Sequence, residues 1–212
     1  MNEEQLYDLI SRMTIKEKVL SSDESVSWHA HREAEKITDE SLFPVLMKIV
    51  DDNRQKKNKD IRNAAYFIIG VMLRNSFNKE ACSFLIQQLR TETDKYVIES
   101  ILDRLAAVSI PEEIDISLII ECSKNDKWQI RQSALNALGS SSTKESKEAL
   151  SYYLNQEDEK KYEYEIVYSN ASLGKIGTKK DIPLLQKHAS SRKRDIRESA
   201  KFAIDSINNR EQ

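Results

Sequence analysis

The sequence predicts an all-α protein, a right-handed helical solenoid built from five to six helical pairs. One stretch, Ile130-Arg131-Gln132-Ser133-Ala134-Leu135-Asn136-Ala137-Leu138-Gly139, has relatives along most of the chain. Its apolar or small residues Ile130, Ser133, Ala134, Ala137 and Leu138 fall at i, i+3, i+4, i+7 and i+8, one face of a helix that stops at Gly139. Charged residues make up 32% and hydrophobic ones 39%, with four Gly and three Pro, which suits solvated helices and not a β fold full of tight turns. The three prolines also recur at a matching place in the repeat.

In chain order, Leu6, Leu9, Ile10, Met13 and Val19 predict a capping helix over 4–20 that ends at Ser21-Ser22. A second helix runs from Asp23 to Ile37. Asp39 caps a third through Leu42, Val45, Leu46 and Ile49, followed by the polar stretch Asp51 to Asp60, read as the longest loop. Ile61 to Gly70 is the closest copy of the recurring stretch. A helix through Ala81, Phe84, Leu85 and Leu89 leads to a weaker copy beginning at Val97. Pro111 to Cys122 is predicted helical, then come the 130–139 copy, a helix from Thr143 to Leu154, a copy over Tyr168–Gly177, and a last pair at Ile182–His188 and Ile196–Ile204.

The copies begin at His29, Ile61, Val97, Ile130, Tyr168 and Ile196, separated by 32, 36, 33, 38 and 28 residues, the length of two antiparallel helices. Pro44, Pro111 and Pro183 lie 15, 14 and 15 residues after His29, Val97 and Tyr168, early in the first helix of a pair, where proline starts or bends a helix. Gly70, Gly139, Gly174 and Gly177 are read as ending or interrupting repeat helices.

No domain boundary shows: the halves carry 16 basic to 18 acidic residues and 17 to 17, so residues 1–212 are expected to form one domain, with a cap over 1–22, repeats over 23–207 and a tail over 208–212. Apolar runs such as Phe67–Leu73 fall far short of the ~20 residues that span a bilayer. The acidic amino terminus has no basic region ahead of an apolar segment, and Cys82 and Cys122 read as buried thiols; the expected location is the cytoplasm.

Ala171-Ser172-Leu173-Gly174-Lys175-Ile176-Gly177 followed by Asp181-Ile182-Pro183-Leu184-Leu185 resembles the phycobilisome-lyase type of HEAT repeat, an armadillo-like unit. Ile61-Arg62, Ile130-Arg131 and Ile196-Arg197, each with two small residues after them, resemble its second helix. The resemblance covers most of 23–207 and implies a binding scaffold in which the matching residues hold repeats together.

Arg62, Arg131 and Arg197 share one repeat position; their fork suits carboxylate or phosphate, and in such repeats it bridges neighbouring loops. Tyr66, Leu102, Leu135 and Leu173 share another, as an apolar stripe or as core. Trp128, Tyr162 and Tyr164 belong to an aromatic group suited to an interface. Residues 175–212 hold ten Lys or Arg against five acids, +5, and Arg192-Lys193-Arg194 could meet an acidic protein or phosphate. His29 and His31, two apart, diverge on a helix, and neither cysteine has a histidine placed to activate it, so no catalytic residue, metal or cofactor is predicted.

The expected function is a non-catalytic scaffold holding a protein partner through its concave surface or charged end. The alternative is nucleic-acid binding of the alkylpurine DNA glycosylase kind, for which Trp28, Trp128, Asp126 and Arg131 are the available side chains. The net charge of −2 weighs against it, because duplex binding rests on neutralising phosphates.

Overall fold

A computed structural model of the chain describes residues 1–210. Twelve α-helices lie among them, packed as two compact units, Met1–Arg104 and the residues from Leu105 on. The first unit holds α1 (Glu3–Met13), α2 (Val26–Ala34), α3 (Phe43–Asp52), α4 (Lys59–Asn75), α5 (Lys79–Gln88) and α6 (Lys95–Leu105), whose last residue belongs to the second. The second unit holds α7 (Ser117–Cys122), α8 (Trp128–Leu138), α9 (Lys144–Leu154), α10 (Glu163–Ile176), α11 (Ile182–Gln186) and α12 (Arg194–Arg210). The chain is all-α, and successive helices pair as in a helical solenoid. No helix among the described residues is long and apolar enough to cross a membrane.

Several helices begin on side-chain caps. Asn2 and Gln5 form a reciprocal capping box at α1, and Ser25, Asn78 and Thr143 accept from the third residues of α2, α5 and α9. Pro44 and Pro183 sit in the first turns of α3 and α11, where no helical N–H is lost. In each unit one second helix is buried on nearly all sides. In the first it is α4, with Tyr66, Ile68 and Ile69 fully buried; in the second it is α10, packed by α8, α9 and α12. Besides Ile166 and Leu173, α10 buries the polar and small residues Ser169, Asn170, Ser172 and Gly174, and two of these use the neighbours' atoms. Ser172 Oγ donates to the Leu135 carbonyl (2.8 Å), and Asn170 Nδ2 donates to Ser199 Oγ (3.1 Å).

Five sequence expectations are corrected. The first helix ends at Met13 and does not run to Leu20: Glu17 turns back to accept from Ser25 Oγ (2.6 Å) and the Ser27 N–H (2.9 Å), which a continuing helix would forbid, and Val19 and Leu20 are exposed. The polar stretch 51–60 is mostly helix, with α3 reaching Asp52, a 3-10 turn at Lys56–Asn58 and α4 starting at Lys59. Pro111 precedes its helix: its carbonyl closes a turn with the Ile114 N–H (3.1 Å), and α7 starts only at Ser117. Residues 208–210 continue α12; the last two residues of the expected tail lie outside the described residues.

The fifth correction concerns the glycines. Gly70 and Gly174 lie inside α4 and α10, while Gly139 and Gly177 are C-caps, and no glycine among the described residues has a positive φ. Their use is close approach. A Cβ on Gly70 would meet the Arg104 stem at 2.5–2.6 Å; on Gly139, Ser172 Oγ at 2.8 Å; on Gly174, the Ala203 Cα at 2.8 Å.

Gly174→Ala adds about 1 kcal/mol of helix propensity yet forces α10 away from the α12 backbone, an overpacking cost of about 1–3 kcal/mol. A thermal melt of this variant is expected to fall below that of the parent; a rise would show that the two helices separate without cost.

Candidate functional site

Arg62 is buried in α4 and makes a two-pronged ion pair with Glu92 (Nε–Oε1 2.6 Å, NH2–Oε2 2.8 Å). Its NH1 donates to the carbonyls of Asn53 (2.7 Å) and Gln55 (2.9 Å) in the loop behind it, and Tyr66 OH donates to Glu92 Oε1 (2.8 Å). The Glu92 carboxylate raises the Arg62 pKa further, against the effect of burial. Arg131 in α8 repeats the arrangement: Nε contacts Glu165 Oε1 at 2.7 Å and NH2 at 2.6 Å, while NH1 donates to the carbonyls of Asn125 and Asp126, both at 2.9 Å. Arg197 NH1 donates to the Ser191 carbonyl (3.0 Å), and its Nε turns to the adjacent Glu198 (3.1 Å). With Nε and both terminal nitrogens in use, Arg131 has no free edge to offer a nucleic-acid base.

Beside the Arg131 clasp lies an open cleft of about 790 Å³. Its lining comes from the C-terminus of α7 and the loop after it, from Arg131 of α8, from α9, and from the approach to α10. Tyr153 forms a fixed part of that lining, 4% exposed, its OH donating to the Ser123 carbonyl (2.6 Å); burial pushes the phenol up to about 12. Tyr162 packs tilted against Tyr153 at 6.1 Å and is half-buried, while Tyr152 is exposed.

On the second-helix side of the same unit, Trp128 and Tyr164 stack with centroids 5.7 Å apart and planes 22° apart, yet are 49% and 61% exposed. They stand in the first turns of α8 and α10, and Tyr168 is exposed one turn further along α10. Of the three nominated aromatics, the structure therefore joins two, Trp128 and Tyr164, and puts Tyr162 in the cleft.

The nominated basic run is divided. Arg192 and Arg194 are exposed, whereas Lys193 is ion-paired with Glu163 at the start of α10. Part of the remaining positive charge at this end is bonded within the unit. Arg210 NH1 donates to the carbonyls of Gly174 (3.0 Å) and Lys175 (2.6 Å) at the C-terminus of α10, where a cation complements the helix dipole, and Lys175 Nζ donates to Asn136 Oδ1 (2.9 Å). The shared position of Tyr66, Leu102, Leu135 and Leu173 is fully buried core. Sequence reasoning missed Glu92 and Glu165, the partners of two nominated arginines, and the Glu145 and Glu148 wall of the cleft.

No family model matches the chain, and no curated protein matches it. Solved structures do. An engineered protein of the Northeast Structural Genomics Consortium is 18% identical with a TM-score of 0.54, covering 99% of this chain and 100% of its own. A designed armadillo repeat protein, YIII(Dq)4CqI, is 16% identical with a TM-score of 0.52, covering 95% and 99%. A related design, solved in complex with the peptide (KR)4, is 16% identical with a TM-score of 0.52, covering 96% and 100%. At these identities the likeness establishes the helical repeat fold.

Burial raises the thiol pKa of Cys82 and of Cys122 to about 11, with Glu121 adding to the effect at Cys122. The thiolate fraction at pH 8 is then about two orders of magnitude below that of a free cysteine, near 8.5. Alkylation of the native protein by iodoacetamide, followed by mass spectrometry, is expected to be slow at pH 8 and to quicken as the pH is raised; rapid labelling of either residue at pH 7 would mark an activated thiol.

Proposed function

We propose that the chain is a non-catalytic binding scaffold of HEAT-like repeats, of the phycobilisome-lyase type its sequence resembles, which holds an extended segment of a protein partner. It works in the cytoplasm, where Cys82 and Cys122 remain thiols. The observation that carries the reading is the exposed stack of Trp128 on Tyr164, continued by Tyr168. Tyr and Trp offer large rigid area with a polar tip and dominate interface hot spots, and a stacked pair is pre-organised before the partner arrives. The solved design that carries (KR)4 supports a peptide as the kind of ligand such a repeat accepts.

Panning a displayed peptide library against the purified protein should yield sequences that bind it. Trp128→Ala and Tyr164→Ala are then expected to weaken the selected peptides by about thirtyfold each, the scale of a hot-spot truncation, with helical circular dichroism preserved. Binding that survives both changes intact would remove the stacked pair as the anchor.

A further inference from the structure

The cleft beside α9 carries carboxylates and an aromatic ring in one space. Glu145, Glu148 and Tyr152 lie at i, i+3 and i+7, so two carboxylates and a phenol share one face of α9 and line the same space. The Glu148 carboxylate pairs with Lys144 at 3.4 Å between side chains 64% and 84% exposed, a contact that solvent screens and that leaves the carboxylate available. Across the lining, the ring of Tyr162 already seats a cation: Lys161 Nζ stands 4.7 Å from its centroid. Aromatic faces attract cations through their quadrupole, and a neighbouring carboxylate adds charge to the same seat. Arg131, the remaining strong cation of the lining, is neutralised by Glu165. That leaves Asp126, Glu145 and Glu148 against Lys124 and Lys161, and Lys161 is the group standing on the aromatic ring.

We propose that this cleft is a second binding site, one that takes the guanidinium or ammonium group of an arginine or lysine in an extended basic segment of a partner. The incoming cation lies over Tyr162 in place of Lys161, and its N–H donors reach Glu145 and Glu148. A space of about 790 Å³ is larger than one side chain fills, so flanking residues of the segment enter with it. The inference rests on the scaffold reading only in taking the ligand to be a peptide; it does not depend on Trp128 and Tyr164.

The test is fluorescence anisotropy at 0.15 M salt with two labelled octapeptides, one of alternating Lys and Arg and one of alternating Glu and Asp. The basic peptide is expected to bind and the acidic one not to. The double variant Glu145→Gln/Glu148→Gln, altered only at exposed positions, should bind the basic peptide at least tenfold more weakly, and Lys161→Ala, which removes the competing cation, should bind it several-fold more tightly. Trp128→Ala/Tyr164→Ala should leave this affinity within twofold of the parent. Equal binding of the acidic peptide, an unchanged affinity in the double glutamine variant, or weaker binding by Lys161→Ala would overturn the assignment. Loss of binding in the Trp128/Tyr164 variant with none in the glutamine variant would also overturn it, moving the peptide to the stacked aromatic pair and leaving the scaffold reading standing.

Discussion

A guanidinium has two usable edges, and this protein uses both at once. In Arg62 and Arg131 one edge grips a carboxylate roughly one repeat further along the chain, while NH1 holds two carbonyls of the loop that precedes the helix. Removing a charge from water is costly unless it is paired and hydrogen-bonded, so a buried arginine left without these partners would destabilise its helix pair. The same four or five bonds then fix three things together: the path of the loop, the rotation of the helix and the position of the next repeat. A lysine, with one compact charge and no planar fork, could not span those partners.

Both candidate surfaces of the second unit are tied to the Arg131 clasp. By holding the Asn125 and Asp126 carbonyls, Arg131 sets the lip of the cleft and delivers the chain into α8 at Trp128. By holding Glu165, it sets the first turn of α10, and with it Tyr164 one residue earlier. The aromatic stack is therefore positioned by a part-buried ion pair whose two members follow Trp128 and Tyr164 on the same helices. Lys193 on Glu163, Arg197 on the Ser191 carbonyl and Arg210 on the end of α10 extend the same pattern through the last pair, so some of the basic residues read from the sequence are bonded within the unit, while Arg192 and Arg194 stand exposed.

The helical pairs are readable in the sequence because the face that packs must repeat, and small residues near Ile61, Ile130 and Ile196 show that repetition directly. The helix limits are less readable. Glu17 competes for the N-terminus of α2, and that competition, invisible to helical periodicity, ends α1 at Met13. Gly70 reads as a stop because glycine usually is one; here it is a gap for the Arg104 stem within a continuous α4. The glutamates that complete the clasps are hidden for a different reason. Glu92 lies 30 residues from Arg62 and Glu165 lies 34 from Arg131, one in a loop and one in a helix that starts a turn earlier than its relatives, so they share no position in the repeat. An acid about one repeat after each arginine is the available signal. The cleft, assembled from four separate segments, has no local signature at all.

The clasp is tested most directly by a double-mutant cycle on its most buried example, Arg62→Met and Glu92→Gln, with stability read from urea unfolding. Each single change leaves a charged or polar partner buried and unmatched, and should cost about 3–5 kcal/mol. The double variant should lose less than the sum by more than about 1 kcal/mol, the coupling of groups in direct contact. Strictly additive losses, or single losses below about 0.5 kcal/mol, would show that the repeats are held together without the arginines.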